Sequence, residues 1–216
     1  MGSRSFPSEG QRTAKAELSQ SAPLALKLLV AGGFGVGKTT LVGAVSEIPP
    51  LRTEELLTAA GVGTDSLDGI ENKTTTTVAL DFGRITFPEA GLITYLFGTP
   101  GQERFWFMWN DLCIGALGAI VLVDTRRLRD SFGAIDFFEH RGIPYVVAVN
   151  LFDSAPVYPL PAVRTALSVA DEIPLIQCDA RSRTSARDVL ITLVEYLLAR
   201  RRAGVLPESS LTRSSP

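Results

Sequence analysis

Residues Gly32–Thr40 read GGFGVGKTT, preceded by the apolar run LALKLLVA and followed by LVGAVSEI. Gly32, Gly37, Lys38 and Thr39 match G-x-x-x-x-G-K-[ST], and the match follows a predicted strand and opens a predicted helix, which is the context this motif requires. Glycines let successive backbone N–H groups converge on phosphate oxygens, and the helix N-terminus adds positive potential. Lys38 is placed to reach β and γ phosphates, and the Thr39 hydroxyl to ligate Mg²⁺. The cradle thus comprises Gly32, Gly33, Phe34, Gly35, Val36, Gly37, Lys38, Thr39 and Thr40. It does not by itself choose between ATP and GTP.

Outward from the cradle, β-rich runs alternate with helix-length patterns. TVALDFGRITF and GLITYLFG are separated only by PEA, a connection short enough to join antiparallel strands. LGAIVLVD, IPYVVAVN and IPLIQCDA are unbroken apolar runs with helical patterns between them, and SARDVLITLVEYLLARR closes the series with apolar residues at helical spacing. Strands of this kind imply a mostly parallel sheet covered on both faces. The expected fold is α/β: one doubly wound, mostly parallel six-stranded sheet in which the second and third strands form an antiparallel pair.

Composition limits the function classes. The chain has 216 residues, 45% of them hydrophobic, and a net charge of −2, so it can bury one core but carries no basic footprint for nucleic acid. Residues 1–23 and 206–216, rich in Ser, Pro, Gln, Glu and Arg, are expected to be disordered tails around one domain at 24–205. Cys113 and Cys178 suggest neither a disulfide framework nor a metal site. No stretch is apolar for long enough to span a bilayer and no signal peptide is visible, so the cytosol is the expected compartment.

A base-reading loop is expected where a strand ends. NLFD, Asn150–Asp153, follows PYVVAVN, and ligands of open α/β sheets sit beyond the carboxyl ends of strands. A carboxylate at Asp153 would accept from guanine N1–H and the 2-amino group, a donor pair that adenine lacks, and would reject ATP by leaving its charge unpaired.

Taken in order, these motifs resemble the Ras-superfamily small GTPases, and among them the Rab-like bacterial type called conservon GTPases. GQERF at Gly101–Phe105 is similar to the start of switch II, TVALDF from Thr77 to switch I and the strand after it, and QCDAR at Gln177–Arg181 to the last guanine loop. The resemblance implies the strand order 2-3-1-4-5-6, with the second strand antiparallel to the rest, and a GTP- and GDP-binding switch with slow, Mg²⁺-dependent hydrolysis. Thr77 would ligate the metal and sense the γ-phosphate, with Thr76 the alternative in the run KTTTT. Gln102 would orient the attacking water, and Gly101 would offer a backbone N–H to the γ-phosphate. Asn150, Leu151, Asp153, Asp179, Ala180 and Arg181 would surround the guanine, Ala180 giving its N–H to O6. The resemblance also implies a roadblock-domain partner, docking at switch II on Phe105, Trp106 and Trp109, within a complex linked to a sensor kinase, so that peripheral membrane attachment would come through partners.

Two departures stand out. The family's D-x-x-G becomes GTPG, Gly98 replacing the aspartate that holds Mg²⁺ through water, and Leu151 replaces the lysine of N-K-x-D. Gly98 keeps open a scaffold that binds nucleotide with negligible turnover. It also keeps open a P-loop ATPase in which Asp124, ending AIVLVD, takes the metal. Arg104, Arg126 and Arg127 are candidates for a catalytic arginine. His140 is expected at a helix C-terminus, and Arg200–Arg202 complement the dipole of the last helix. Residues 47–73 form a long connection of undefined role.

Overall fold

A computed structural model of the chain describes residues 23–49, 51–57, 76–153 and 155–205. The expected tails, apart from Pro23, and residues 50 and 58–73 of the long connection lie outside them. In chain order the elements are β1 (Leu24–Ala31), α1 (Lys38–Val45), β2 (Leu51–Leu57), β3 (Thr76–Phe87), β4 (Leu92–Gly98), α2 (Trp109–Leu112), β5 (Gly118–Val123), α3 (Arg129–Arg141), β6 (Tyr145–Asn150), α4 (Leu160–Leu167), β7 (Leu175–Cys178) and α5 (Arg183–Arg202).

The sheet order is β2-β3-β4-β1-β5-β6-β7. Six of these strands are the predicted ones in the predicted order, and β3, the predicted second strand, runs antiparallel to β4. The seventh, β2, is an edge strand antiparallel to β3, and it lies inside what the sequence presented only as a long connection. Its residues, LRTEELL, mix polar and apolar types without strict alternation, which hides a strand from periodicity. The β3–β4 connection is a 3₁₀ turn, Pro88–Ala90, closed by Gly91 at φ 57°.

Parity along the central strands assigns the two faces. Leu28 and Val30 of β1, Ile120 and Leu122 of β5, and Val146 and Ala148 of β6 pack with α1 and α5 through Leu41, Val42, Val189 and Leu193. The intervening residues Leu29, Ala31, Val121, Val123, Val147 and Val149 pack with Trp109, Ile135, Phe138, Val163 and Leu167 from α2, α3 and α4. Both sets are withdrawn from water, and burying each large aliphatic side chain contributes about 1.5–3 kcal/mol. Since β1 lies between β4 and β5, the loop after it opens at the carboxyl edge of the sheet, with the ends of β4, β5 and β6 in line with it.

His140 sits in the last turn of α3, before Gly142 at φ 62°, and its Nδ1 lies 2.7 Å from the Asp136 carbonyl oxygen, as a position near a C-terminal cap requires. Cys178 is buried and Cys113 half-buried, both as free thiols. No helix among the described residues is long and apolar enough to cross a membrane.

Candidate nucleotide site

The loop from Gly32 to Gly37 turns because two glycines occupy conformations closed to other residues. Gly32 has φ 134° and a side-chain carbon there would lie 2.4 Å from the Leu122 carbonyl oxygen; Gly37 has φ 106° and would meet the Asn150 amide nitrogen at 2.7 Å. Lys38, the first residue of α1, is buried and its Nζ donates to the carbonyl oxygens of Gly32 and Gly33 at 2.9 and 2.7 Å. Burial pulls its pKa down from 10.5 to about 8, opposed by the nearby charge of Asp81.

Asp81 is the site residue that motif reading missed. The Thr39 hydroxyl donates to its Oδ2 at 2.6 Å. Antiparallel register sets Asp81 of β3 directly opposite Gly98 of β4, and Gly98 in turn pairs with Val30 of β1 at the entrance to the cradle. A side-chain carbon on Gly98 would lie 2.9 Å from Asp81 Cβ and 3.0 Å from its Oδ2. Across the strand pair the Asp81 carboxylate therefore stands beside Thr39 in space that a side chain at Gly98 would fill. The available signal was the juxtaposition of two facts: a lone acidic residue in the apolar β3 pattern, and an absent one in β4.

Among the described residues no three acidic, histidine or cysteine side chains gather as a self-sufficient metal cage. Thr39 and Asp81 instead form a hydroxyl–carboxylate pair beside the phosphate cradle, and Mg²⁺ is usually held by one or two such groups together with substrate phosphates and water. That donor set fits the ion. Thr77, the predicted second hydroxyl ligand, lies within β3 with its backbone opposite Leu56, and Thr76 opposite Leu57. Asp124, the alternative metal ligand, is buried and already committed: Arg126 donates to it from its backbone N–H and from Nε and Nη2 at 2.7–3.2 Å. Those hydrogen bonds hold the Asp124 carboxyl below its usual range.

The predicted base loops converge on the cradle through Asn150. Its Nδ2 donates to the Val36 carbonyl oxygen at 2.9 Å, and its Oδ1 accepts from the Ala180 N–H at 3.0 Å. One buried amide thus locks the P-loop, the end of β6 and the loop after β7 together. The Leu151 N–H donates to the Cys178 carbonyl oxygen, fixing the same two loops. Arg181 spans both carboxylates, donating to Asp153 at 2.8 and 2.9 Å and to Asp179 at 2.9 and 3.1 Å. Its guanidinium holds both carboxyls below the usual range. Sequence alone put Asp153 and Arg181 in one site but gave no sign that they pair. Exposed as it is, the pair contributes little to stability.

Gly101 presses on the cradle, where a side-chain carbon would lie 2.7 Å from Lys38 Nζ and 2.8 Å from the Phe34 nitrogen. Gln102 caps the 3₁₀ segment Glu103–Met108 that follows. Within it the predicted docking aromatics divide. Phe105 and Trp109 are buried, Trp109 donating from Nε1 to the Pro100 carbonyl oxygen at 3.1 Å and packing on Phe137 and Phe138. They are core residues, which corrects their expected place on an exposed docking surface. Trp106 is half-buried over Gly133, where a side-chain carbon would stand only 2.0 Å from its ring, while Phe107 faces solvent. Aromatic density misled because it marks cores and interfaces alike.

This arrangement defines a P-loop domain with a GTPase-like fold. More particularly, the chain belongs to the family described as "conserved hypothetical ATP binding protein", whose profile matches residues 30–200. It is similar to the uncharacterized protein MJ1339 of Methanocaldococcus jannaschii, 32% identical over 130 residues that span 59% of this chain and 71% of that protein. Its fold is similar to the G domain of the T. maritima FeoB iron transporter, with a TM-score of 0.53 and 19% identity over 80% of this chain and 98% of that one. The GDP form of the T. maritima FeoB cytosolic domain aligns with a TM-score of 0.54 and 18% identity over 81% of this chain; the match spans 64% of that chain. Membership of the Rab-like conservon type is not among these findings.

Proposed function

We propose that the protein is a guanine-nucleotide switch that hydrolyses GTP slowly to GDP and phosphate. The observation that carries this reading is the Asn150 amide, which ties the phosphate cradle to both loops predicted to read the base. Support also comes from the GTPase-like fold and from the GDP-bound form of one structural relative.

In this reading the backbone N–H groups of residues 33–37 and Lys38 hold the phosphates. Asp153 accepts from the guanine edge once Arg181 releases it, and the Ala180 N–H serves guanine O6. Thr39 and Asp81 hold Mg²⁺, which when bound neutralises phosphate charge. Gln102 orients the attacking water, and Thr77 reaches the γ-phosphate from the start of β3. A third phosphate at Lys38 displaces Gly101, and Pro100 transmits the movement to Trp109 and the aromatic cluster on α3, so that switch II reports the nucleotide bound. The family description favours a second reading, ATP in the same cradle, and base selectivity separates the two. Placement in the cytosol, and docking of a roadblock-type partner at switch II around Trp106 and Phe107, extend the proposal.

The test is phosphate release from GTP with Mg²⁺ under single-turnover conditions, for wild type and Gln102→Leu. Slow release by the wild type, reduced at least about tenfold by the substitution with GDP affinity unchanged, is expected. Guanine binding with no release above background would instead make the protein a nucleotide-binding scaffold.

A further inference from the structure

Two adjacent arginines follow β5, and the structure gives them different work. Arg126 is spent: its guanidinium forks onto the buried Asp124 carboxylate and lies 3.9 Å over the Phe152 ring. Arg127 turns the other way, onto the cradle. Its Nη2 donates to the Phe34 carbonyl oxygen at 2.7 Å, and stands 3.6 Å from the point where a side chain on Gly35 would begin. Its other nitrogens make only long pairs, Nε at 3.8 Å from Asp124 and Nη1 at 3.7 Å from Asp130. A planar guanidinium has five N–H donors, and these contacts leave several unsaturated at the rim of a phosphate site. Asp130 also closes on the cradle from α3, since a side-chain carbon on Gly33 would lie 2.7 Å from its Cβ. The start of α3 therefore packs directly against the P-loop, which sets where Arg127 begins its reach.

We propose that Arg127 is a catalytic arginine supplied by the chain to its own phosphate site. The inference rests on the GTP-hydrolase reading above. In the reaction the bond between the γ-phosphorus and the β–γ bridging oxygen breaks, and that oxygen leaves with the electron pair on GDP. The water oxygen bonds to phosphorus and its proton passes to the phosphate released. Arg127 stays protonated throughout. Its part is to leave the Phe34 carbonyl, or to share it, and set two N–H groups against the negative charge that grows on the bridging and γ-phosphate oxygens, which is where an arginine is most effective in phosphoryl transfer. No carbon on Gly35 obstructs that path. Through the Phe34 carbonyl the same arginine also tethers the cradle loop to the segment that leads into α3.

Tether and catalyst are separated by comparing Arg127→Ala and Arg127→Lys with wild type in three assays: GDP binding, single-turnover GTP hydrolysis, and the tightening of GDP binding by aluminium fluoride, which mimics the transferring phosphoryl group. A catalytic arginine predicts that both variants bind GDP within about threefold of wild type, hydrolyse GTP at least about tenfold more slowly, and lose most of the aluminium fluoride effect, lysine failing because it lacks the planar fork. Hydrolysis within twofold of wild type in Arg127→Ala overturns the assignment. So does full rescue by lysine, or a fall in GDP affinity as large as the fall in rate, either of which leaves only the tether. A wild type that binds GDP but neither hydrolyses GTP nor responds to aluminium fluoride fails before any variant is compared, and takes the hydrolase reading down together with this one.

Discussion

Lys38→Ala is expected to weaken binding of both GTP and GDP at least a hundredfold while leaving the empty protein folded. In the structure the Lys38 ammonium donates to the Gly32 and Gly33 carbonyl oxygens, a contact that phosphate oxygens would replace. Two charge-assisted hydrogen bonds to phosphate contribute roughly 3–6 kcal/mol together, or about two to four decades of affinity. The cost in fold stability is small, because the same lysine is buried with its pKa drawn down to about 8. pH dependence follows from the same shift. Below about pH 8 the empty site already carries the charge. Above it the site loses its proton, and a bound polyanion restores it by raising the pKa. Nucleotide binding therefore takes up a proton as pH rises above about 8, and affinity falls with rising pH from there. Calorimetry in buffers of different ionisation enthalpy measures the uptake directly. A variant that binds within tenfold of wild type would remove the cradle from the account.

Asp81 gives the second large effect. Asp81→Ala deprives the Thr39 hydroxyl of its 2.6 Å partner and removes the carboxylate that the β3–β4 register sets beside it. The Mg²⁺ concentration needed for half-maximal nucleotide retention is expected to rise about tenfold or more, from loss of roughly 1.5–3 kcal/mol. Gly98→Asp alone is expected to destabilise the fold, because its first side-chain atom would lie 2.9 Å from Asp81 Cβ and would set a second carboxylate beside the first. The exchange Asp81→Gly with Gly98→Asp moves the carboxylate to the facing strand and is expected to recover most of the Mg²⁺ dependence that Asp81→Ala loses. Retention assays across a Mg²⁺ series, with thermal melting as the folding control, decide it. Exchange no better than Asp81→Ala would show that the carboxylate is not interchangeable across this pair.

The cradle and the six strands were legible because both rest on local pattern: glycines at fixed offsets, apolar runs with turn residues between them, and the short PEA connection that favours an antiparallel pair. The order of the strands came instead from the resemblance to a known fold. Asn150 was legible as a strand-end residue, though its double hydrogen bond to Val36 and Ala180 was not. What stayed hidden depends on contacts across the sheet. Asp81 acquires its role from register with Gly98, a quantity that no window on one strand contains. β2 lacks alternation and so gave no strand signal. The aromatic run after Gln102 was split between core and surface by which side chains face Phe137 and Phe138, and sequence spacing in a 3₁₀ segment does not reveal that. Arg126 and Arg127 looked equivalent in sequence, and only the geometry of Asp124 and Phe34 separates them.

Base identity is the point on which the account turns, since the phosphate cradle serves any nucleoside triphosphate. The deciding measurement is a calorimetric titration of wild-type protein with GDP and with non-hydrolysable GTP and ATP analogues, in Mg²⁺ near pH 7.5. The account predicts that both guanine nucleotides bind at least a hundredfold more tightly than the ATP analogue, because Asp153 finds its donor pair only on guanine. An ATP analogue bound as tightly as the GTP analogue, or more tightly, would contradict it and assign the cradle to an adenine nucleotide.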